Sequence, residues 1–245
     1  ALALGLILTY RLRGQTAVHP RALMEHSLFG GWRRMLALGA PQSLGFIGLA
    51  LGSAAIMTAL QWVATERCPQ VVSAYGVITR VMTFVYLPLL GLSHAMQSIT
   101  GNLFGAGHSA RVRQSLRLAL GLALLYCLAM QAGMTLGAEE IGAIFVTDPG
   151  VIAEVARILP AIVMLFALSG PLMMVAMHFQ AIGDAPRAAL LSLAKPYAFA
   201  IPLTFILARL FGEPGIWRAG PTAEGLLLIL TLAVIWQART RFSSA

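Results

Sequence analysis

Long apolar runs alternate with short polar connectors along this chain, and the runs are too long for ordinary soluble helices. At helical rise a bilayer core takes about 20 residues. Six runs match or exceed that length: 35–64, 75–107, 118–136, 151–182, 188–211 and 216–237. The pattern predicts an all-α integral membrane protein, with six transmembrane helices forming one bundle across 35–238. Residues 1–10 are apolar as well and are expected to be the end of a preceding membrane helix. Residues 11–34 read as a cytoplasmic connector and 239–245 as a cytoplasmic tail.

The second run breaks the apolar rule most often. It carries Arg80, Pro88, His94, Gln97 and Asn102. Each polar group costs free energy in hydrocarbon unless it faces protein or a wet cavity, so this helix is expected to wall a cavity. Proline removes a backbone donor and frees a carbonyl. Bends are therefore predicted near Pro88, and at Pro160 or Pro171 in the fourth run. The first run carries Gly45, Gly48, Gly52, Ser53, Ala54 and Ala55, small residues that let helix backbones approach closely. The third is apolar nearly all round and reads as lipid-facing scaffold.

Composition supports the membrane reading. Of 245 residues, 58% are hydrophobic and only 11% charged, against about 25% charged in soluble domains. The formal charge of +8 lacks the interleaved aromatics of a nucleic-acid surface, so no nucleic-acid partner is expected. Cys68 and Cys127 have no ligand spacing, and two histidines without cysteine or carboxylate neighbours do not make a metal site. A membrane enzyme would need paired acids or a serine with its base; Asp184 has no acidic partner inside the runs, so no enzyme is expected. With connectors assigned alternately to two sides, one side collects Arg11, Arg13, Arg21, Arg33, Arg34, Arg111, Arg113, Arg117, Arg187, Lys195, Arg239 and Arg241. The other has Arg67, Arg157, Arg209 and Arg218. The positive-inside rule places the first group, and the C-terminus, in the cytoplasm.

The pathway candidates are Glu224, Arg80, Gln97, Asn102, His94, His178 and Gln180. Glu224 precedes the apolar run 225–236 and lies about two turns into the last span. It reads either as a boundary carboxylate paired with Arg218 or as a cavity acid raised in pKa by desolvation. Histidine titrates near neutrality, and the amides of Gln97, Asn102 and Gln180 both donate and accept. Interior helix–helix hydrogen bonds account for these residues equally well, and Arg80 has a structural reading as a cation snorkelling to the outer surface. Lys195 is close enough to its helix start to snorkel toward the cytoplasm. Asp184 is expected to cap the helix that begins before Pro186. Phe84, Tyr86, Phe166, Met173, Met174 and Met177 would supply an adaptable apolar surface.

Six phrases in order carry a family resemblance: Gly39-Ala40-Pro41-Gln42, Ala74-Tyr75-Gly76-Val77-Ile78-Thr79-Arg80, Leu87-Pro88-Leu89-Leu90-Gly91-Leu92-Ser93, Gly101-Asn102-Leu103-Phe104-Gly105-Ala106-Gly107, Phe179-Gln180-Ala181-Ile182-Gly183-Asp184-Ala185 and Phe211-Gly212-Glu213-Pro214-Gly215-Ile216-Trp217. With their span count they resemble the C-terminal lobe of a multidrug and toxic compound extrusion (MATE) transporter. The resemblance implies twelve helices in two lobes, with an N-terminal lobe as partner and substrate held between them. It also implies export of cationic or amphipathic drugs across a bacterial inner membrane by a proton or sodium gradient, without a cofactor. One branch of the family carries a carboxylate in the first span of this lobe. Residues 44–51 contain none, which favours protons over sodium, and the resemblance then implies that the key aspartate lies in the other, N-terminal lobe. A lipid-linked oligosaccharide flippase of the same superfamily, or a non-transporting membrane subunit, stands as the alternative.

Overall fold

The structure is a computed structural model that describes residues 32–63 and 68–243. The expected preceding helix end (1–10) and nearly all of the 11–34 connector lie outside the described residues. Every regular element among the described residues is helical. They are α1 (Trp32–Trp62), α2 (Cys68–Gly105), α3 (Ser109–Leu136), α4 (Ala138–Phe145), α5 (Pro149–Val163), α6 (Phe166–Ala181), α7 (Ala185–Leu193), a π-helical segment (Ala194–Ala200), α8 (Ile201–Phe211) and α9 (Glu213–Ser243).

By length and apolarity, α1, α2, α3, α7 through α8, and α9 each suffice to cross a membrane, and α5 with α6, bent by 45°, counts as a sixth where the pair crosses as one. The described residues thus hold five to six candidate spans, in line with an all-helical membrane protein. Only 17–39% of the most apolar stretch of each of the five unbroken spans is buried inside the bundle. The outward faces present Leu49, Phe84, Leu125 and Trp236, a surface that lipid solvates and water does not. Helices suit this surroundings because they satisfy their backbone hydrogen bonds internally.

The connections show why each helix stops. Gly107 and Gly183 adopt φ of +77° and +81°, the left-handed conformation that glycine enters without a side-chain penalty. After α2, the His108 amide bonds the Leu103 carbonyl at 2.9 Å and the Gly107 amide the Phe104 carbonyl at 3.0 Å. After α6, Asp184 and Gly183 repeat that pattern onto Phe179 and Gln180. Both are paired C-terminal caps of the kind that recover the last free carbonyls. Asp148 caps α5 by accepting from the Gly150 amide at 2.8 Å, and Asp184 caps α7 through the Arg187 amide, as expected.

Three details of local structure refine this picture. Arg111, Arg113 and Arg117 do not occupy a loop; α3 starts at Ser109 and carries them on its exposed first turns. The acidic stretch after α3 is a short helix, α4, with Glu139 and Glu140 in its first turn, where carboxylates complement the helix dipole. The fourth span is divided at Met164–Leu165, between its two prolines, where α5 and α6 meet at a 45° bend. Pro88 stays inside an unbroken α2. It deprives the Phe84 carbonyl of a donor, and the Tyr126 hydroxyl of α3 donates to the adjacent Val85 carbonyl at 2.8 Å.

Packing joins two groups of helices. Val71, Ile78 and Leu89 of α2 meet Ala123 and Cys127 of α3, Val155, Ile158 and Leu159 of α5, and Phe166 and Met174 of α6. Leu172, Val175 and Phe179 of α6 form a second cluster with Leu191 of α7 and Leu227 and Val234 of α9. α6 and α9 thus stand between the groups. α1 rests on α7, the π-helical segment and α8. Its small residues serve packing at Gly48, where an added Cβ would lie 2.7 Å from Pro196; Gly45 and Gly52 face open space.

Candidate functional site

The most heavily buried acid of the second half of the chain is Glu224, 5% exposed on α9. The Lys195 ammonium forms an ion pair with its Oε1, and the Ser169 hydroxyl of α6 donates to the same oxygen. The Tyr86 hydroxyl of α2 lies near the Lys195 ammonium. Tyr86 is itself set edge-on against Phe166 with ring centres 5.4 Å apart. The π-helical segment and α6 therefore both reach one carboxylate of α9, with α2 beside the lysine. Its Oε2 is fully buried and has no hydrogen-bond partner among the described residues.

Local structure explains how the lysine reaches. The span 185–211 changes from α to π geometry at Ala194–Ala200, around Pro196, which cannot supply an amide donor. Such wide turns re-aim side chains. The neighbouring Tyr197 anchors the segment to α1, its hydroxyl donating to the Leu44 carbonyl at 2.8 Å. Pro196 fits against Gly48 where no larger residue would. Lys195 thus projects toward α9.

This arrangement corrects two readings. Glu224 is not a boundary carboxylate paired with Arg218, because it lies inside the bundle with a different cation. Nor does Lys195 snorkel to the cytoplasm. The missed signal was depth. Counted from the shared end of the antiparallel spans Ala185–Phe211 and Glu213–Gln237, Glu224 and Lys195 sit about 17 and 24 Å deep at helical rise. The lysine and glutamate side chains together bridge that difference. One acid and one base at matching depth in adjacent spans are expected to pair.

The remaining candidates do not join this cluster. On α2 the buried stripe runs through Ile78, Leu89, Met96 and Thr100. Arg80 and Asn102 each lie two residues beyond a member of that stripe, about 200° around the helix, and both are exposed, as is His94. Gln97 is half-buried at its edge. The interior hydroxyls of α2 are instead Ser93 and Thr100, both fully buried. His178 and Gln180 sit near the far end of α6, about 13 Å or more along it from Ser169. The His178 ring stands against Phe179 at 6.0 Å, and its Nδ1 is buried without a partner among the described residues. Phe179 also receives the Arg187 guanidinium over its face at 5.8 Å.

A second polar cluster lies at the start of α9. Arg157 of α5 pairs with Glu154, at 2.7 Å from Nε to Oε2, and with Glu213. Glu213 accepts from the Trp217 indole at 2.9 Å, and Trp217 packs on Tyr75 of α2 with ring centres 5.8 Å apart. This cluster ties α5, α9 and α2 together at one end of the bundle. Among the described residues no cluster of His, Cys, Asp and Glu could hold a metal ion.

Known proteins resemble this chain over most of its length. The MatE family model matches residues 45–214. "Probable multidrug resistance protein YoeA" of Bacillus subtilis (strain 168) is 21% identical over 198 residues, covering 80% of this chain and 42% of that protein. "Multidrug export protein MepA" of Staphylococcus aureus (strain NCTC 8325 / PS 47) is 25% identical over 174 residues, covering 70% and 38%. Among solved structures, "Crystal structure of MATE in complex with MaD3S" superposes with a TM-score of 0.81 at 19% identity, over 99% of this chain and 53% of that one. The chain therefore spans about two fifths of these curated relatives and about half of a MATE structure. With the six-span helical bundle, these matches identify the chain as a member of the MATE (MatE) family, a family of membrane transporters and not of enzymes.

Proposed function

We propose that this chain is the C-terminal lobe of a two-lobe, proton-driven exporter of cationic or amphipathic compounds, and that Glu224 is its coupling carboxylate. The order of the six family phrases and the cytoplasmic bias of the cations support the choice of lobe and a C-terminus inside the cell. Placement in a bacterial inner membrane fits the source of the curated relatives. The absence of an acid in residues 44–51 supports protons over sodium.

The observation that carries the reading is the Lys195–Glu224 pair in mid-span with Ser169 on the same oxygen. A charge in hydrocarbon is tolerated when it is paired. A proton or a cationic amine can take the place of Lys195 on Glu224, but not both at once. Either one neutralises the acid and releases the lysine toward Tyr86. The same contact holds α9 to the π-helical segment and to α6, so occupancy of Glu224 alters how these helices pack. One group that binds either proton or cargo, and whose state is read by helix packing, meets the requirement of antiport around an inter-lobe site.

The test uses the complete transporter that contains this chain, reconstituted in proteoliposomes with a proton gradient and ethidium as cargo. Glu224→Gln preserves shape and removes the charge; it is expected to abolish proton-driven ethidium movement and flatten its pH profile. The groups facing Glu224 that would also shape that profile are Lys195, Tyr86 and Cys127 of α3, which lies close enough to feel the Glu224 charge. Unchanged transport and an unchanged profile would sink the coupling role. A sodium gradient that drives ethidium would overturn proton coupling. Movement of a lipid-linked diphosphate sugar in place of ethidium would favour the flippase reading.

A further inference from the structure

We infer that Gln131 of α3 is a positioning residue for this site: it braces the break between α5 and α6 so that Ser169 stays within hydrogen-bond reach of Glu224. The inference rests on the Glu224 reading above.

A helix broken inside a bilayer leaves backbone groups with no internal partner, and each must be satisfied by protein. At the Met164–Leu165 break one side chain serves both lips. Gln131 Nε2 donates to the Met164 carbonyl at 2.8 Å. Its Oε1 accepts from the Ala167 amide, also at 2.8 Å. Donating and accepting at once requires an amide, and at this distance from α3 it requires the longer of the two amide side chains.

The braced turn is also the weakest of α6. Pro171 cannot donate to the Ala167 carbonyl four residues earlier, so the first turn lacks an internal bond. α3 holds it at two points. Gln131 grips Ala167, and one turn further along, Gly170 lies against Cys127 and Ala123. A Cβ at Gly170 would meet Cys127 Sγ at 2.7 Å and the Ala123 carbonyl oxygen at 2.9 Å. Ser169 sits between these two points, 6% exposed, and points to α9. The break itself abuts α9 beside Glu224: Leu165 Cδ1 lies 3.9 Å from where a Cβ on Gly225 would be. A rotation of this turn by one residue, about 100°, would take the Ser169 hydroxyl off the carboxylate. Position 131 therefore acts on the site through Ser169, its own amide being engaged by Met164 and Ala167.

The experiment is a double-mutant cycle in the complete transporter, with Ser169→Ala, Gln131→Met and the pair. Methionine keeps the length and apolar bulk of glutamine and removes the amide. Loss of the Ser169 bond is expected to lower proton-driven ethidium efflux per molecule about tenfold. Gln131→Met is expected to give a comparable loss and the same displaced pH profile, and the double variant to be no worse than Ser169→Ala alone. Independent losses that multiply in the double variant, or a Gln131→Met protein that melts earlier while its efflux and pH profile per molecule stay normal, would overturn the inference. A second measurement keeps it separate from the transport reading: the isotope-edited infrared band of the Glu224 carboxylate in the purified protein. If Glu224→Gln and Ser169→Ala leave efflux intact, the coupling role falls, and the band still decides. A shift in Gln131→Met that matches the shift in Ser169→Ala upholds positioning; an unmoved band rejects it.

Discussion

A single buried oxygen, Glu224 Oε1, receives both a lysine and a serine, and the energetics of that arrangement differ from those of an isolated acid. Burying an ion pair gains little over burying apolar groups of the same volume, whereas removing one partner strands the other. Lys195→Met should therefore destabilise the protein, toward the lower end of about 3–5 kcal/mol because the lysine is partly exposed. Lys195→Met combined with Glu224→Gln should recover much of that loss. Thermal unfolding of the three purified proteins in detergent checks this; a double variant less stable than Lys195→Met would show that the pair itself supplies stability. At this scale the sequence was only half legible. A buried position for Glu224 could be read as one of two alternatives from its place before an apolar run. Its partner could not, because Lys195 was measured from one end of its own run and Glu224 from the opposite end of another. Arg80, His94 and Asn102, exposed on this bundle, fall outside the Glu224 cluster for a different reason. A polar residue in a span was taken to face inward, but helical phase puts Arg80 and Asn102 on the far side of the buried stripe, a comparison that needs the stripe to be known.

Among elements, the spans were read well and their interruptions were not. Apolar length alone determines how many helices can cross, and five of the six runs are recovered as unbroken candidate spans, the other as a bent helix pair. Proline was a partial guide to bending: the 45° bend falls between Pro160 and Pro171 and at neither. Pro88 lies within a continuous helix whose neighbour Tyr126 donates to a carbonyl of the affected turn. The observed break has no proline at Met164 or Leu165; a side chain of α3, remote in sequence, holds it. Close approach of helices is likewise set by individual glycines. Gly170→Ala and Gly48→Ala each place a Cβ about 2.7 Å from a neighbouring atom, and overpacking of this kind costs about 1–3 kcal/mol. Gly121 of α3 has nothing within 4 Å; there alanine should be neutral or stabilising by about 0.5–1 kcal/mol. Melting temperatures of the three variants in one detergent test the ranking. A Gly170→Ala protein as stable as Gly121→Ala would mean that α3 and α6 part readily, which would also weaken the brace argued for Gln131.

For the whole molecule, the decisive fact is extent. The chain covers nearly all of itself but about half of a MATE structure, and the resemblance that points to the second lobe rests on the order of its phrases. Its most buried charged contact, Lys195–Glu224, joins α9 to the span that contains the π-helical segment, while the Arg157–Glu213 contact joins α9 to α5 at one end. α9 is thus held at its middle by one ion pair and at its start by another, and it is also the most buried of the five unbroken spans. Such a bundle can fold and bind as a unit, but alternating access moves one lobe against another around a site at their interface. We therefore expect cells expressing residues 1–245 alone to show no ethidium efflux above a vector control. Efflux should return when the complementary six-helix lobe of the same transporter is supplied, in the same chain or as a second one, and should then depend on Glu224. Fluorescence of ethidium in cells lacking other exporters measures it directly. Efflux by residues 1–245 alone, retained at protein levels too low for self-association, would show that one lobe suffices and would refute the two-lobe mechanism proposed here.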